Sequence, residues 1–146
     1  MANSSAPRMH SAEHILNQVM VRTFDCGRCF SAHVNSKKSK CDYHFNRALT
    51  DSEMQDVETA VNSAISGNLE VSDTMVSLEE AQRDFNLSRL PEGVEGVRIV
   101  RIGDFDFCPC IGAHVKNTIE IGAFRMTSQD FKDGVLRIRY KLGTPE

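Results

Sequence analysis

The sequence predicts an α+β fold in which an antiparallel or mixed β-sheet carries its helices packed on one face, a two-layer arrangement. Two observations carry this reading. Segments with helical apolar spacing and segments of strand character both occur, but without the regular β-α-β alternation that builds a parallel sheet. The 146 residues supply one sizeable core and are too few for two ordinary domains, so residues 1–146 are read as a single domain.

From Ser11 to about Phe24, the apolar residues Ile15, Leu16, Val19, Met20 and Phe24 recur at helical spacing, with His10 and His14 one turn apart at the start. Residues 29–35 and 40–46 read as two short strands around the polar turn "NSKKSK". "TDSE" opens a second helix as a capping box, Thr50 being the N-cap and Glu53 its partner. Met54, Val57, Val61, Ala64 and Ile65 form its apolar stripe, and Gly67 ends it. "LEVSDTMVS" reads as a strand, "LEEAQRDF" as a short helix, and "LPEGVEG" as a loop entering a strand around Val97 to Ile102. Two further strands are predicted, Ile119 to Met126 and Val135 to Leu142, on either side of the turn "FKDG".

Hydrophobic residues make up 40% and charged residues 25% of the chain, values typical of soluble globular proteins. No apolar run is long enough to cross a bilayer, and "MANSSAPRMH" lacks the hydrophobic segment of a signal peptide, so a cytoplasmic location without membrane attachment is expected. Five cysteines, an odd number in such a chain, argue against a secreted disulfide framework. The net charge of −3 argues against gripping nucleic acid with the whole surface.

Chemistry concentrates in two short segments. In "HSAEH", His10 and His14 stand at i and i+4, which places both on one helix face. In "CIGAH", Cys110 and His114 repeat that spacing, and Gly112 lets the backbone bend closely around an ion. Two Cys/His half-sites, one near each end of the chain, suit a divalent metal held by distant parts of a fold. A competing set joins Cys26 and Cys29 of "CGRC" to Cys108 and Cys110 of "CPC" as four thiolates, although the single residue between the second pair is tight for zinc. A redox role for "CGRC" fits poorly, because the motif follows a helix and leads into a strand. Cys26, Cys29 and Cys41 otherwise read as ordinary thiols.

The pairing of "HSAEH" with "CIGAHVKNTIEIGAF", the latter preceded by "VRIVRIGDFDF", resembles the editing domain of alanyl-tRNA synthetase and its free-standing AlaX-type relatives. A related editing domain occurs in threonyl-tRNA synthetases. The resemblance runs from His10 through Tyr140. It implies zinc (Zn2+) held by His10, His14, Cys110 and His114, leaves Cys108 outside the motif, and gives Thr118, Glu120, Ile121 and Gly122 the task of holding the Cys/His loop against the sheet. It puts Ser31 or His33 near the substrate side chain. Where the family often has "CGGTH", this chain has Ile111 and Ala113, which bears on substrate preference. No aminoacylation domain or preceding barrel-like domain is read in the sequence, so the chain looks like the short free-standing form.

The activity so implied is hydrolysis of mischarged aminoacyl-tRNA, serine or glycine on alanine tRNA. The need is physical: a synthetase pocket shaped for a methyl group cannot strongly reject an isostere that adds a hydroxyl. The alternative is a zinc-stabilised tRNA-binding or adaptor module of the same fold without activity. The zinc is expected to sit tightly on His10, His14 and Cys110 and less tightly on His114, leaving room for water. The expected partner is the tRNA acceptor end, with a homodimer left open. Arg137, Arg139 and Lys141 of "RIRYK" alternate onto one strand face, where they serve either as phosphate contacts or as a solvated surface. Lys37, Lys38 and Lys40 have the same two readings. Arg98 and Arg101 lie closer in sequence to the Cys/His loop but are as readily paired with acids.

Overall fold

The computed structural model describes residues 6–84 and 96–143. The first helix, α1 (Pro7–Phe24), begins before the predicted Ser11 because Pro7 suits a first turn that needs no amide hydrogen, and Asp25 closes it in a left-handed conformation. The second, α2 (Asp51–Ser66), carries the predicted capping box: Glu53 N–H donates to the Thr50 hydroxyl and Thr50 N–H to the Glu53 carboxylate. The third, α3, spans Leu78–Asp84. The last residue of the predicted "LEEAQRDF" helix and residues 90–95 of the "LPEGVEG" loop lie outside the described residues.

The fold class is α+β, and every strand pairing is antiparallel. The single sheet of the sequence reading is replaced by two. One contains β1 (Ser31–His33), β2 (Ser39–His44), β6 (Phe124–Lys132) and β7 (Val135–Leu142) in the order β1-β2-β7-β6. The other contains β3 (Val71–Ser77), β4 (Gly96–Ile102) and β5 (Asp106–Pro109) in the order β3-β4-β5. β5 was not foreseen: Gly103, at φ +51°, reverses the chain so that "DFCP" returns along β4.

α1 and α2 cover one face of the four-stranded sheet. Ile15, Leu16, Val19 and Met20 of α1 and Val57, Val61 and Ile65 of α2 share one core with Cys41 and Tyr43 of β2 and Leu136, Ile138 and Tyr140 of β7. α3 departs from the one-face expectation and packs through Ala81 on Val97 and Ile99 of β4, a separate small cluster. Among the described residues no helix is long and apolar enough to cross a membrane.

The predicted strand Ile119–Met126 is also corrected. Thr118–Ile121 form a 3-10 turn, and β6 starts at Phe124. Side-chain hydrogen bonds override strand propensity here. The Thr118 hydroxyl donates to the carbonyls at the end of α2, Ile65 at 3.0 Å and Ala64 at 3.3 Å, and Glu120 accepts from the amides of Lys116 and Asn117. Ile121 is fully buried and Gly122 has φ +82°. Thr118 ties the segment after the Cys/His loop to the end of α2, and the backbone beside it also bonds the start of β3, Val71 N–H donating to the Lys116 carbonyl at 2.8 Å.

A candidate metal centre between the first helix and the Cys/His loop

The packing of α1 exposes its polar residues to a problem of burial. From Met9 to Asn17 the helix is buried all round, including Ser11, Glu13, His14 and Asn17, and buried polar groups must find partners. Those partners lie in the loop after β5 and in the segment before β1. His10, His14, Cys110 and His114 converge so that one ligand atom from each lies within 4.8 Å of all the others. The loop is pinned from behind by Arg98 of β4, whose guanidinium donates to the carbonyls of Gly112 at 2.7 Å and Cys110 at 3.2 Å while pairing with Asp73.

The three rings share one orientation logic. His10 Nδ1 lies 3.2 Å from the Ala113 carbonyl, and His114 Nδ1 lies 3.0 Å from the Ser11 hydroxyl, which in turn accepts the Val115 amide. His14 Nδ1 faces Asp106 Oδ2 at 3.5 Å, an electrostatic contact too poorly aligned for a hydrogen bond. With Nδ1 turned outward in each ring, Nε2 is the nitrogen left to face an ion, the arrangement that fixes the ligating tautomer in metal sites. Cys110 Sγ lies 3.3 Å from His10 Nε2 and 3.4 Å from His114 Nε2. Zinc bonded to sulfur and nitrogen in tetrahedral geometry separates such atoms by about 3.6 Å. The four donors therefore fit zinc, and Cys110 is as close to His114 as to His10, so geometry does not set His114 apart.

Electrostatics separate the two cysteines of "CPC". Burial pushes the Cys110 thiol up, but hydrogen bonds from His10, His114 and His14 more than offset this and bring its pKa down to about 3. Burial holds the Cys108 thiol up at about 12 despite the nearby Arg28, so it remains protonated. Burial drives His114 down to about 4. For His14, burial is outweighed by Asp106 and Cys110, and its pKa rises to about 9.

Gly112 is required by space. A Cβ there would lie 2.2 Å from His10 Cε1 and 2.5 Å from His10 Nδ1, so the loop backbone rests directly on a ligand ring. Ile111, by contrast, is 74% exposed, and Ala113 contributes only its carbonyl to His10. Neither departure from "CGGTH" touches the ligand geometry.

The four-thiolate alternative finds no support. Among the described residues Cys29 groups with Glu13 and Cys41, its thiol donating to Glu13 Oε2 at 3.3 Å, while Cys26 donates to the Met20 carbonyl. None of the five cysteines forms a disulfide. The outer-face residues lie elsewhere. Ser31 and His33 are exposed on edge strand β1, Arg137 pairs with Asp42 at 2.8 Å, Arg139 pairs with Asp130 at 2.6 Å, and Lys141 is exposed. Lys37 and Lys38 project from a turn whose amides Asn35 accepts, Lys40 is half-buried, and Arg101 pairs with Asp104.

Sequence reasoning missed Ser11, Glu13, Arg28 and Asp106 around the ligands, whereas Arg98, placed near the Cys/His loop by chain proximity, both pins that loop and pairs with Asp73. No sequence signal marked Asp106: the alternation in "DFDFC" favours the phenylalanine face as the inward one, yet Asp106 is buried and Phe107 exposed.

Residues 97–139 match the family described as the threonyl and alanyl tRNA synthetase second additional domain, a span that includes Cys110 and His114. The chain is 32% identical to an alanine–tRNA ligase of Aeropyrum pernix, over 95% of this chain and 16% of that protein. It is 34% identical to that of Shouchella clausii, over 88% of this chain and 15% of that protein, and 29% identical to that of Borrelia garinii, over 90% and 23%. The chain thus spans under a quarter of the length of these relatives. It is an alanyl-tRNA synthetase editing-domain-like protein, in which residues 97–139 match the second additional domain of threonyl and alanyl tRNA synthetases.

Proposed function

We propose that the protein is a zinc-dependent aminoacyl-tRNA deacylase that acts in trans, hydrolysing the ester of serine or glycine wrongly joined to alanine tRNA in the cytoplasm. The observation that carries this reading is the convergence of three imidazoles and one thiolate from opposite ends of the chain, each ring with Nδ1 turned away from the common point. His10, His14, Cys110 and His114 would hold the ion. When bound, zinc supplies polarisation of an ester carbonyl or a lowered pKa for water.

The chain's own residues divide the remaining work. Ser11, Asp106 and the Ala113 carbonyl orient the rings. Gly112 and Arg98 keep the loop pressed onto His10. Ser31 or His33 is proposed to face the substrate side chain, where a hydrogen bond to a serine hydroxyl would spare alanine, which leaves that polar group unpaired. Of the candidate tRNA contacts, Lys141 and the turn lysines Lys37 and Lys38 are exposed, while Arg137 and Arg139 reach phosphate only by exchanging their carboxylate partners.

The test is release of serine from serine-charged alanine tRNA by the purified protein, with Cys110→Ala alongside. Turnover by the native protein that is lost in Cys110→Ala is the expected result. Binding of the tRNA without turnover would support the inactive adaptor, and turnover undiminished in Cys110→Ala would remove the ion from the chemistry.

A further inference from the structure

We propose that Asp106, clamped by Arg28, is a positioning residue for the metal centre that acts through His14. This rests on the reading of His10, His14, Cys110 and His114 as an ion-binding group. Asp106 is fully buried, and Arg28 grips it with both arms of its fork, Nη1 donating to Oδ1 at 2.7 Å and Nη2 to Oδ2 at 3.3 Å. The second of those oxygens faces His14 Nδ1 at 3.5 Å.

Among the described residues, His14 Nδ1 is the one buried side-chain polar atom without a hydrogen-bond partner. The other two rings already have their orienting acceptors, so His14 is the ligand whose setting depends on a charged neighbour. A ring that ligates through Nε2 carries its proton at Nδ1, and Asp106 Oδ2 is the atom placed to receive it. Arg28 fixes that carboxylate from the opposite side. "CGRC" thereby acquires a function in its arginine, supplied from between α1 and β1.

A purely structural role is the rival explanation. A buried ion pair is replaceable by neutral groups with little loss of stability, whereas removal of one partner strands the other. This difference defines the experiment. The full-length protein, Asp106→Asn, and the double variant Arg28→Gln/Asp106→Asn are titrated with Co2+ by visible absorption and with Zn2+ by chelator competition, and the melting of each metal-free form is recorded. The double variant is included because the single one leaves Arg28 buried beside a lost charge.

The proposal expects the double variant to melt close to native yet bind Zn2+ about 10- to 100-fold more weakly, with displaced Co2+ absorption bands. Double-variant affinity within about two-fold of native, with an unchanged cobalt spectrum, would overturn it. Native protein that takes up neither ion would overturn both this proposal and the metal centre. Native protein that binds zinc but releases no serine leaves the affinity comparison decisive for Asp106, while the deacylase reading fails.

Discussion

The metal centre and the outer face of the four-stranded sheet are both rich in charge, but they are built on opposite principles. At the centre, donors from α1 and the Cys/His loop converge on one point, with the Nδ1 atoms of the rings turned away from it. On the outer face, charges lie across neighbouring strands and cancel in pairs, Arg137 with Asp42 and Arg139 with Asp130. The open groove there, lined by Phe30, Asp42, Phe131 and Arg137 among others, contains none of the four ligands. Convergence directs chemistry at a third body, while cross-strand pairing closes the surface upon itself.

The largest effect is expected where the centre has least room. Gly112→Ala places a Cβ 2.2 Å from His10 Cε1 and must displace a ligand ring. Zinc affinity should fall at least about 100-fold in chelator competition. The neighbouring Ile111→Gly, at a residue 74% exposed, should leave affinity unchanged. Equal effects of the two changes would break the account of the loop.

Next comes the asymmetry of the two cysteines. Cys110→Ala should abolish the sulfur-to-cobalt charge-transfer band, and Cys108→Ala should keep it, because only Cys110 is held as a thiolate. Loss of the band in Cys108→Ala would restore the thiolate-rich alternative.

The acid side of the stability profile follows from the same groups. Cys110, at about 3 against an ordinary 9.0, contributes stability that is full above pH 9 and lost as pH falls through 3. His114, lowered to about 4 from 6.5, likewise loses its contribution as pH falls from 6.5 through 4. His14, raised to about 9, contributes stability full below 6.5 and lost towards 9. Above pH 6.5 the Cys110 and His14 trends cancel. The melting temperature of the metal-free protein should therefore rise from pH 3 to 6.5 and then level off towards pH 9. A melting temperature that fell across the acid interval would contradict the ion-paired centre.

The smallest effects belong to the outer face. Arg137→Ala and Arg139→Ala each break a cross-strand ion pair and should weaken tRNA binding less than Lys141→Ala does. The salt dependence of tRNA affinity checks this, since removal of a true phosphate contact lowers the slope by about one.

The same contrast explains how much was legible in the sequence. The matching i, i+4 spacing of His10/His14 and Cys110/His114 is local information, and local spacing marks a shared helix face or a tight loop. The capping box at Thr50 and Glu53 was legible for the same reason. Arg28, Asp106 and Ser11 were not, because their partners come from elements whose register only the folded chain defines. The turn at Thr118–Ile121 was hidden likewise, since the bond the Thr118 hydroxyl donates and those the Glu120 carboxylate accepts decide it.

The most direct test of the centre is X-ray absorption at the zinc edge of the purified, zinc-loaded protein. The account predicts one sulfur ligand at about 2.3 Å and three histidine nitrogens at about 2.0–2.1 Å. A shell of two or more sulfurs, or one without sulfur, would contradict it.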